Sequence, residues 1–267
     1  QQLNINISTH RLLIPNPTMA SSPPPPPWKS SLISLCLSSN ILTFGTFTLK
    51  SGRQSPYFFN CGLFSRARLI RAISSAYAKA LDTYAQEHSE DDGGKGWGFD
   101  VLFGPAYKGI PLAATTVEKL AGIDEQRWGE VGYAFNRKEV KDHGEGGLMV
   151  GESLKGKRVV VIDDVMTAGT AIQEALSIIK AQGGTLVGII VAVNRQERMV
   201  TLAEREGREE DRGEKGGSAI GAVRKQTGVP VLAVLTLTDI IEGMRGMGRE
   251  SEVRLMEGYY EKYGTED

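Results

Sequence analysis

The chain has 267 residues, 40% hydrophobic and 24% charged, which suits one substantial α/β domain or two small ones and excludes collagen-like, coiled-coil and wholly disordered folds. Lys+Arg 31 against Asp+Glu 32 gives a net charge of -1, so there is no bulk electrostatic case for nucleic acid. Two cysteines, Cys36 and Cys61, are too few for a disulfide framework or a CxxC zinc site, and the reducing cytoplasm is the expected compartment.

Residues 1–28 read as a disordered leader, or as an extension upstream of the natural start that Met19-Ala20-Ser21 resembles. The prolines at 23–27 have no backbone donors and read as a polyproline II spacer. Residues 29–267 are then a single domain. Charge is uneven along it: residues 1–81 hold eight basic groups and no acid, leaving -9 for the remainder. An acid-free, Ser-rich, Arg-containing start has the composition of a mitochondrial transit peptide. Residues 30–60 look too structured to be removed, which favours a leader followed by a segment that handles anions. Residues 32–47 are apolar but cut by Ser34, Ser38, Ser39 and Asn40, short of the ~20 apolar residues of a membrane span.

Over residues 66–86, Leu69, Ile70, Ile73, Ala76, Tyr77, Ala80 and Leu81 recur at helical spacing and predict an amphipathic helix. A charged, glycine-rich turn over 90–98 follows. Short apolar runs at 99–103, 131–135, 159–162, 186–193 and 231–237 then alternate with helical patterns at 110–120 and 170–181. Continuous β-branched runs separated by helices predict a doubly wound, mostly parallel sheet of about five strands, with helices on both faces. Residues 203–218 are a charge run without periodicity, expected to be solvated.

The strongest signal is VVVIDDVMTAGTA at 159–171. A buried strand delivers Asp163 and Asp164 to the carboxyl edge of the sheet, where ligands bind in this architecture. The small residues that follow let successive N–H groups converge on one anion at a helix N-terminus, with Thr167 and Thr170 as hydroxyl donors. A phosphate beside two carboxylates suits a phosphorylated sugar, whose vicinal hydroxyls donate to the acids. GESLKGK at 151–157 matches most of a nucleotide-binding P-loop. However, Arg158 stands where Ser or Thr is needed, and the segment precedes a strand. No GxGxxG fingerprint is present.

The 159–171 segment resembles the phosphoribosyl pyrophosphate (PRPP) motif of type I phosphoribosyltransferases. LKSGRQSPYFF at 49–59, FGPAYKGI at 103–110, FNRKEVKDHGEGG at 135–147 and Asn194-Arg195-Gln196-Glu197 resemble the orotate phosphoribosyltransferases specifically, over roughly residues 40–260. The resemblance implies the fold of that family, with a small N-terminal hood and a flexible catalytic loop. It implies transfer of phosphoribosyl from PRPP to orotate in pyrimidine (UMP) biosynthesis, with Mg²⁺ held mainly by PRPP and water near Asp163 and Asp164. It also implies a homodimer in which the 136–147 loop reaches the neighbouring active site.

By the same resemblance, PRPP falls to Lys50, Tyr107, Lys108, Arg137, Lys138, Lys141, His143 and the run Asp163, Asp164, Val165, Met166, Thr167, Ala168, Gly169, Thr170 and Ala171. Lys141, His143, Arg137 and Lys108 are the candidate catalytic groups, and Phe58, Phe59, Thr167 and Arg195 are placed at orotate. One of the two phenylalanines is expected to be a core residue. An arginine fork matches a carboxylate geometrically, which would let the site demand orotate over uracil. Asn194 stands where the family commonly has Asp. Two rivals share the Asp-Asp loop. A PRPP-sensing regulator would be expected to lack the basic loop and carry a DNA-binding module. A purine transferase leaves Arg195 and the 49–59 motif unexplained.

Overall fold

A computed structural model describes residues 24–89, 96–141, 147–165, 170–201, 204 and 217–265. The first helix, α1 (Pro27–Ser38), begins inside the expected leader. Pro26 is still extended, whereas Pro27 takes the first helical turn, where a missing N–H costs nothing. Trp28 packs against the core, so the domain starts about two residues earlier than its sequence suggests. An antiparallel hairpin follows, β1 (Leu42–Thr48) and β2 (Gln54–Phe59), a two-stranded sheet separate from the main one. The expected amphipathic helix is α2 (Ala67–Glu87), burying Leu69, Ile73, Tyr77 and Leu81 along one stripe.

The main sheet has six strands, one more than expected: β3 (Val101–Phe103), β4 (Gly132–Lys141), β5 (Gly147–Gly151), β6 (Arg158–Val165), β7 (Thr185–Asn194) and β8 (Val231–Thr236). Their order is β5-β4-β3-β6-β7-β8, parallel except for β5, which folds back antiparallel on β4. Helices α3 (Gly109–Ile123), α4 (Glu125–Trp128), α5 (Thr170–Ala181), α6 (Ala219–Thr227), α7 (Leu237–Gly246) and α8 (Glu250–Tyr263), with a 3-10 turn at Cys61–Leu63, complete the described elements.

Strand pleating divides the interior in two. Val101, Phe103, Val159, Val161, Ile189 and Val191 face a core closed by α5 and α6. Leu102, Val160, Ile162 and Ile190 face the larger core under α1, α2, α3 and α7. Side chains of period two, apolar on both faces, thus produce a sheet covered on both sides. The chain end returns to the segment after β7. Arg198 N donates to the Tyr263 carbonyl and Thr265 N to that of Gln196, both at 2.9 Å, and Glu197 bridges Gly264. Among the described residues no helix is long and apolar enough to cross a membrane.

Candidate active site at the carboxyl edge of the sheet

Strand β6 carries Asp163 and Asp164 out of the core. Its carboxyl end is fixed from behind by Tyr77 of α2, whose buried hydroxyl donates to the Asp163 carbonyl at 2.7 Å. On the neighbouring strand, β3 ends in Phe103, and residues 104–108 turn directly into α3. Gly104 and Gly109 close this turn: a Cβ on Gly104 would collide with the Gly109 carbonyl, and one on Gly109 would lie 2.6 Å from the Gly104 carbonyl carbon. The Ala106–Tyr107 peptide is cis. Ala106 N donates at 3.0 Å to Oδ1 of Asn136, a fully buried side chain on β4. The turn is therefore built from the glycines, and Asn136 ties it to the adjacent strand.

Lys108 crosses from this turn to β6, its Nζ 2.6 Å from Asp164 Oδ2. Asp163 accepts from Asp164 N at 2.8 Å through its own Oδ1. Burial pushes the Asp163 carboxyl up to about 6; that N–H bond opposes the rise, and the neighbouring Asp164 charge adds to it. Hydrogen bonding to Asp164 holds the Lys108 ammonium above its ordinary value. A cavity of about 150 Å³ opens here, between Tyr107, Lys108, Asn136, Lys138, Asp163 and Glu174. Tyr107 is 71% exposed, so its ring is available to a ligand.

The basic segment differs from its sequence reading. Residues 136–141 belong to β4 rather than to a loop, so Arg137 and Lys138 stand on a strand paired with β5. Arg137 Nη1 donates to the Gly147 carbonyl at 3.1 Å, and Lys138 Nζ lies 3.3 Å from Glu174 of α5. A run of alternating charge reads as loop because neither face of this strand is apolar. Antiparallel pairing with Gly147–Gly151 supplies what periodicity lacks.

A second group gathers around the hairpin. Strand β2 alternates, with Ser55, Tyr57 and Phe59 inward and Phe58 outward. Phe59 packs on Phe64 in the core, 7% exposed; Phe58 is 41% exposed and stacks on Phe47. Of the pair only Phe58 offers a ring face to a ligand. Lys50 is exposed at the hairpin turn. Arg195 follows β7, and its guanidinium lies 4.3 Å over the Tyr57 ring. Its Nε donates to Glu197 Oε1 at 2.7 Å and its Nη2 to Ser55 Oγ at 3.0 Å.

Val165 ends β6, paired with Val193. Met166, Thr167, Ala168, Gly169 and His143 lie outside the described residues, as do the side chains of Lys141, Thr170 and Ala171. Tyr77, Asn136, Ser55 and Glu197 carry the site's geometry without having been singled out in the sequence. Ser55, Asn136 and Glu197 each lay within a motif, at 49–59, 135–147 and 194–197, and Tyr77 on the apolar stripe of the 66–86 helix, but none of the four was assigned a role. Among the described residues no three His, Cys, Asp or Glu side chains gather as a metal cluster. Asp163 and Asp164 place two carboxyl groups side by side at this edge, with Lys108 paired to Asp164 alone. Such an edge fits a hydrated divalent cation brought in by a substrate.

A family model for the phosphoribosyl transferase domain matches residues 72–212. The orotate phosphoribosyltransferase of Neurospora crassa is 47% identical over 241 residues, 90% of this chain and 98% of that protein. That of Sordaria macrospora is 45% identical over 240 residues, again 90% of this chain and 98% of the relative. The crystal structure of the Francisella tularensis orotate phosphoribosyltransferase superposes with a TM-score of 0.68 at 34% identity, covering 88% of this chain and all of that one.

Proposed function

The chain belongs to the orotate phosphoribosyltransferase family, and from that premise we propose that it transfers the 5-phosphoribosyl group of PRPP to orotate, releasing pyrophosphate and forming orotidine 5′-monophosphate. A ring nitrogen of orotate forms the new bond to C1′ as the C1′–oxygen bond to pyrophosphate breaks. The developing charge on the sugar resembles the oxocarbenium ions of glycoside chemistry. The nitrogen is already electron-rich, so no Ser, Cys or His nucleophile is needed. What the protein must supply is placement of two substrates and neutralisation of the leaving group.

The observation that carries this reading is the junction of the Asp163-Asp164 strand end with the Lys108 turn, at the edge where β6 leads into α5. The two carboxylates accept from the ribose hydroxyls, while Lys108, Tyr107 and Lys50 meet the phosphate oxygens. Arg137, Lys138, Lys141 and His143 supply positive charge for the departing pyrophosphate. Phe58 and Arg195 face the base and its carboxylate, with Thr167 beside them. Asp163 and Asp164 would flank Mg²⁺ brought in mainly by PRPP and water, which would supply positive charge against the diphosphate. The same reading extends to a homodimer in the reducing cytoplasm, the 136–147 segment of each subunit reaching its neighbour's site, while Asn136 and Lys138 line the cavity of their own. The interleaved basic groups of that segment and the free Cys36 and Cys61 support this extension.

An absorbance assay of orotate consumption with PRPP and Mg²⁺, with uracil and adenine in parallel, tests the reaction. Loss of orotate alone is expected; transfer to adenine, or PRPP binding without any transfer, overturns it. For the dimer, Lys141→Ala and the double variant Asp163→Asn, Asp164→Asn are each expected to be nearly inactive. Mixing them should restore about a quarter of wild-type activity if sites are completed across subunits. No recovery on mixing, with exchange of subunits verified, refutes the shared site.

A further inference from the structure

The Arg195 guanidinium is not a free fork. Glu197 Oε1 takes both its Nε, at 2.7 Å, and its Nη2, at 2.6 Å, and Ser55 Oγ takes Nη2 from the other side at 3.0 Å. Ser55 is itself fully engaged, its buried hydroxyl donating to the Tyr57 carbonyl at 2.7 Å. Tyr57 closes one face of the guanidinium. Among the described residues no other carboxylate pairs with Arg195, and Nη1 is the end that neither Glu197 nor Ser55 takes.

Glu197 is also engaged on its far side. Its Oε2 lies 3.9 Å from Nη1 of Arg53, and its backbone is bridged to Gly264. Arg53 in turn is buried, donating to both oxygens of Glu204 and to the carbonyls of Arg198 and Met199. Arg198 closes the chain on Glu204. Three guanidinium groups thus meet two carboxylates in one network, which keeps a surplus of one positive charge. A substrate carboxylate at Nη1 would balance it.

We propose that Glu197 is a positioning residue for recognition of the base: with Ser55 it holds Arg195 by its Nε–Nη2 edge, so that the Nη1 end alone reads the orotate carboxylate. This rests on the orotate reading above. It differs from competition, in which Glu197 would occupy the fork until substrate displaced it. The two have opposite consequences, because removing a competitor tightens orotate binding and removing a positioner weakens it.

The test is steady-state kinetics of the full-length wild type and of Glu197→Gln, with orotate and PRPP varied separately and uracil as a carboxylate-free inhibitor. Loss of one charge-assisted pair predicts about a tenfold rise in KM for orotate. KM for PRPP and inhibition by uracil should stay within about twofold, the scatter of a group outside their contacts. Glu197→Asp should recover part of the loss. Ser55→Ala, which leaves the carboxylate in place, should raise KM for orotate about threefold. It carries the test if melting shows Glu197→Gln to be unfolded. An unchanged or lower KM for orotate, or equal shifts for both substrates, overturns the proposal. Absence of orotate turnover in the wild type would instead refute the reaction.

Discussion

Asp163 is the group at which the demands of folding and of binding diverge most clearly. Its carboxyl stands at about 6 in the folded protein against an ordinary value of 3.8, chiefly through burial. A difference of that size corresponds to roughly 3 kcal/mol against the ionised form at neutral pH. Screening by solvent at a partly exposed site reduces this to about 1–2 kcal/mol. Asp163→Asn keeps an oxygen for Asp164 N and removes the charge, so the ligand-free variant should be more stable by that amount, a rise in Tm of roughly 3–6 °C for a chain of this length. The sign with pH follows from a raised folded value. Between about 4 and 6 the folded state holds the extra proton, so wild-type stability from this group is full below 4 and lost as pH rises through 6. The gain of the variant should therefore be complete at pH 8 and absent at pH 4. Thermal melts across that range in EDTA, paired with PRPP titrations at pH 8, measure both sides: the variant should melt higher and bind PRPP more weakly. A variant no more stable than wild type at pH 8, or equally stabilised at pH 4 and pH 8, would refute the account of buried charge.

Asn136→Ala should remove the acceptor of Ala106 N and cost about 1–3 kcal/mol. KM for PRPP should rise more than KM for orotate, because the turn it releases carries Tyr107 and Lys108; urea melts with two-substrate kinetics check this. Phe58 and Phe59 should separate cleanly. Phe59→Ala is expected to lose about 3–5 kcal/mol of stability by opening the core. Phe58→Ala should lose under about 1 kcal/mol and instead weaken orotate binding, measured by melting and by titration with the nucleotide product.

Legibility in the sequence follows the kind of information each feature needs. The runs at 159–162 and 186–193 announce buried strands because both faces of those strands are apolar, and the helix at 170–181 carries its own period. Strand β5 is five residues with a glycine at each end, and only its pairing with β4 makes it a strand. Helix α7 has a visible stripe, Leu237, Ile240, Ile241 and Met244, whose first member the run from Val231 absorbs. Some side chains that act across the fold left no local trace. Tyr77 reaches Asp163 over 86 positions and reads in sequence as one more core residue; Arg195 was legible from its motif, but its partner Ser55, 140 positions away, was not. Phe58 and Phe59 were ambiguous as a pair, and the two-residue pleat resolved them.

The return of the chain end to residues 196–198 has an evolutionary corollary. In the proposed reading most of the machinery for the sugar and its phosphates lies at the ends of the central strands, with Lys50 of the hairpin the exception. In the same reading the parts that confront the base are the hairpin and the segment after β7, which fasten to each other and to the terminal helix through Arg53, Glu204 and Tyr263. They form a cassette bolted to the rim. Selection, or a protein engineer, could exchange that cassette to present a different heterocycle to the same activated sugar, leaving the sheet untouched. The three pieces would have to be replaced together, since each is held by the other two.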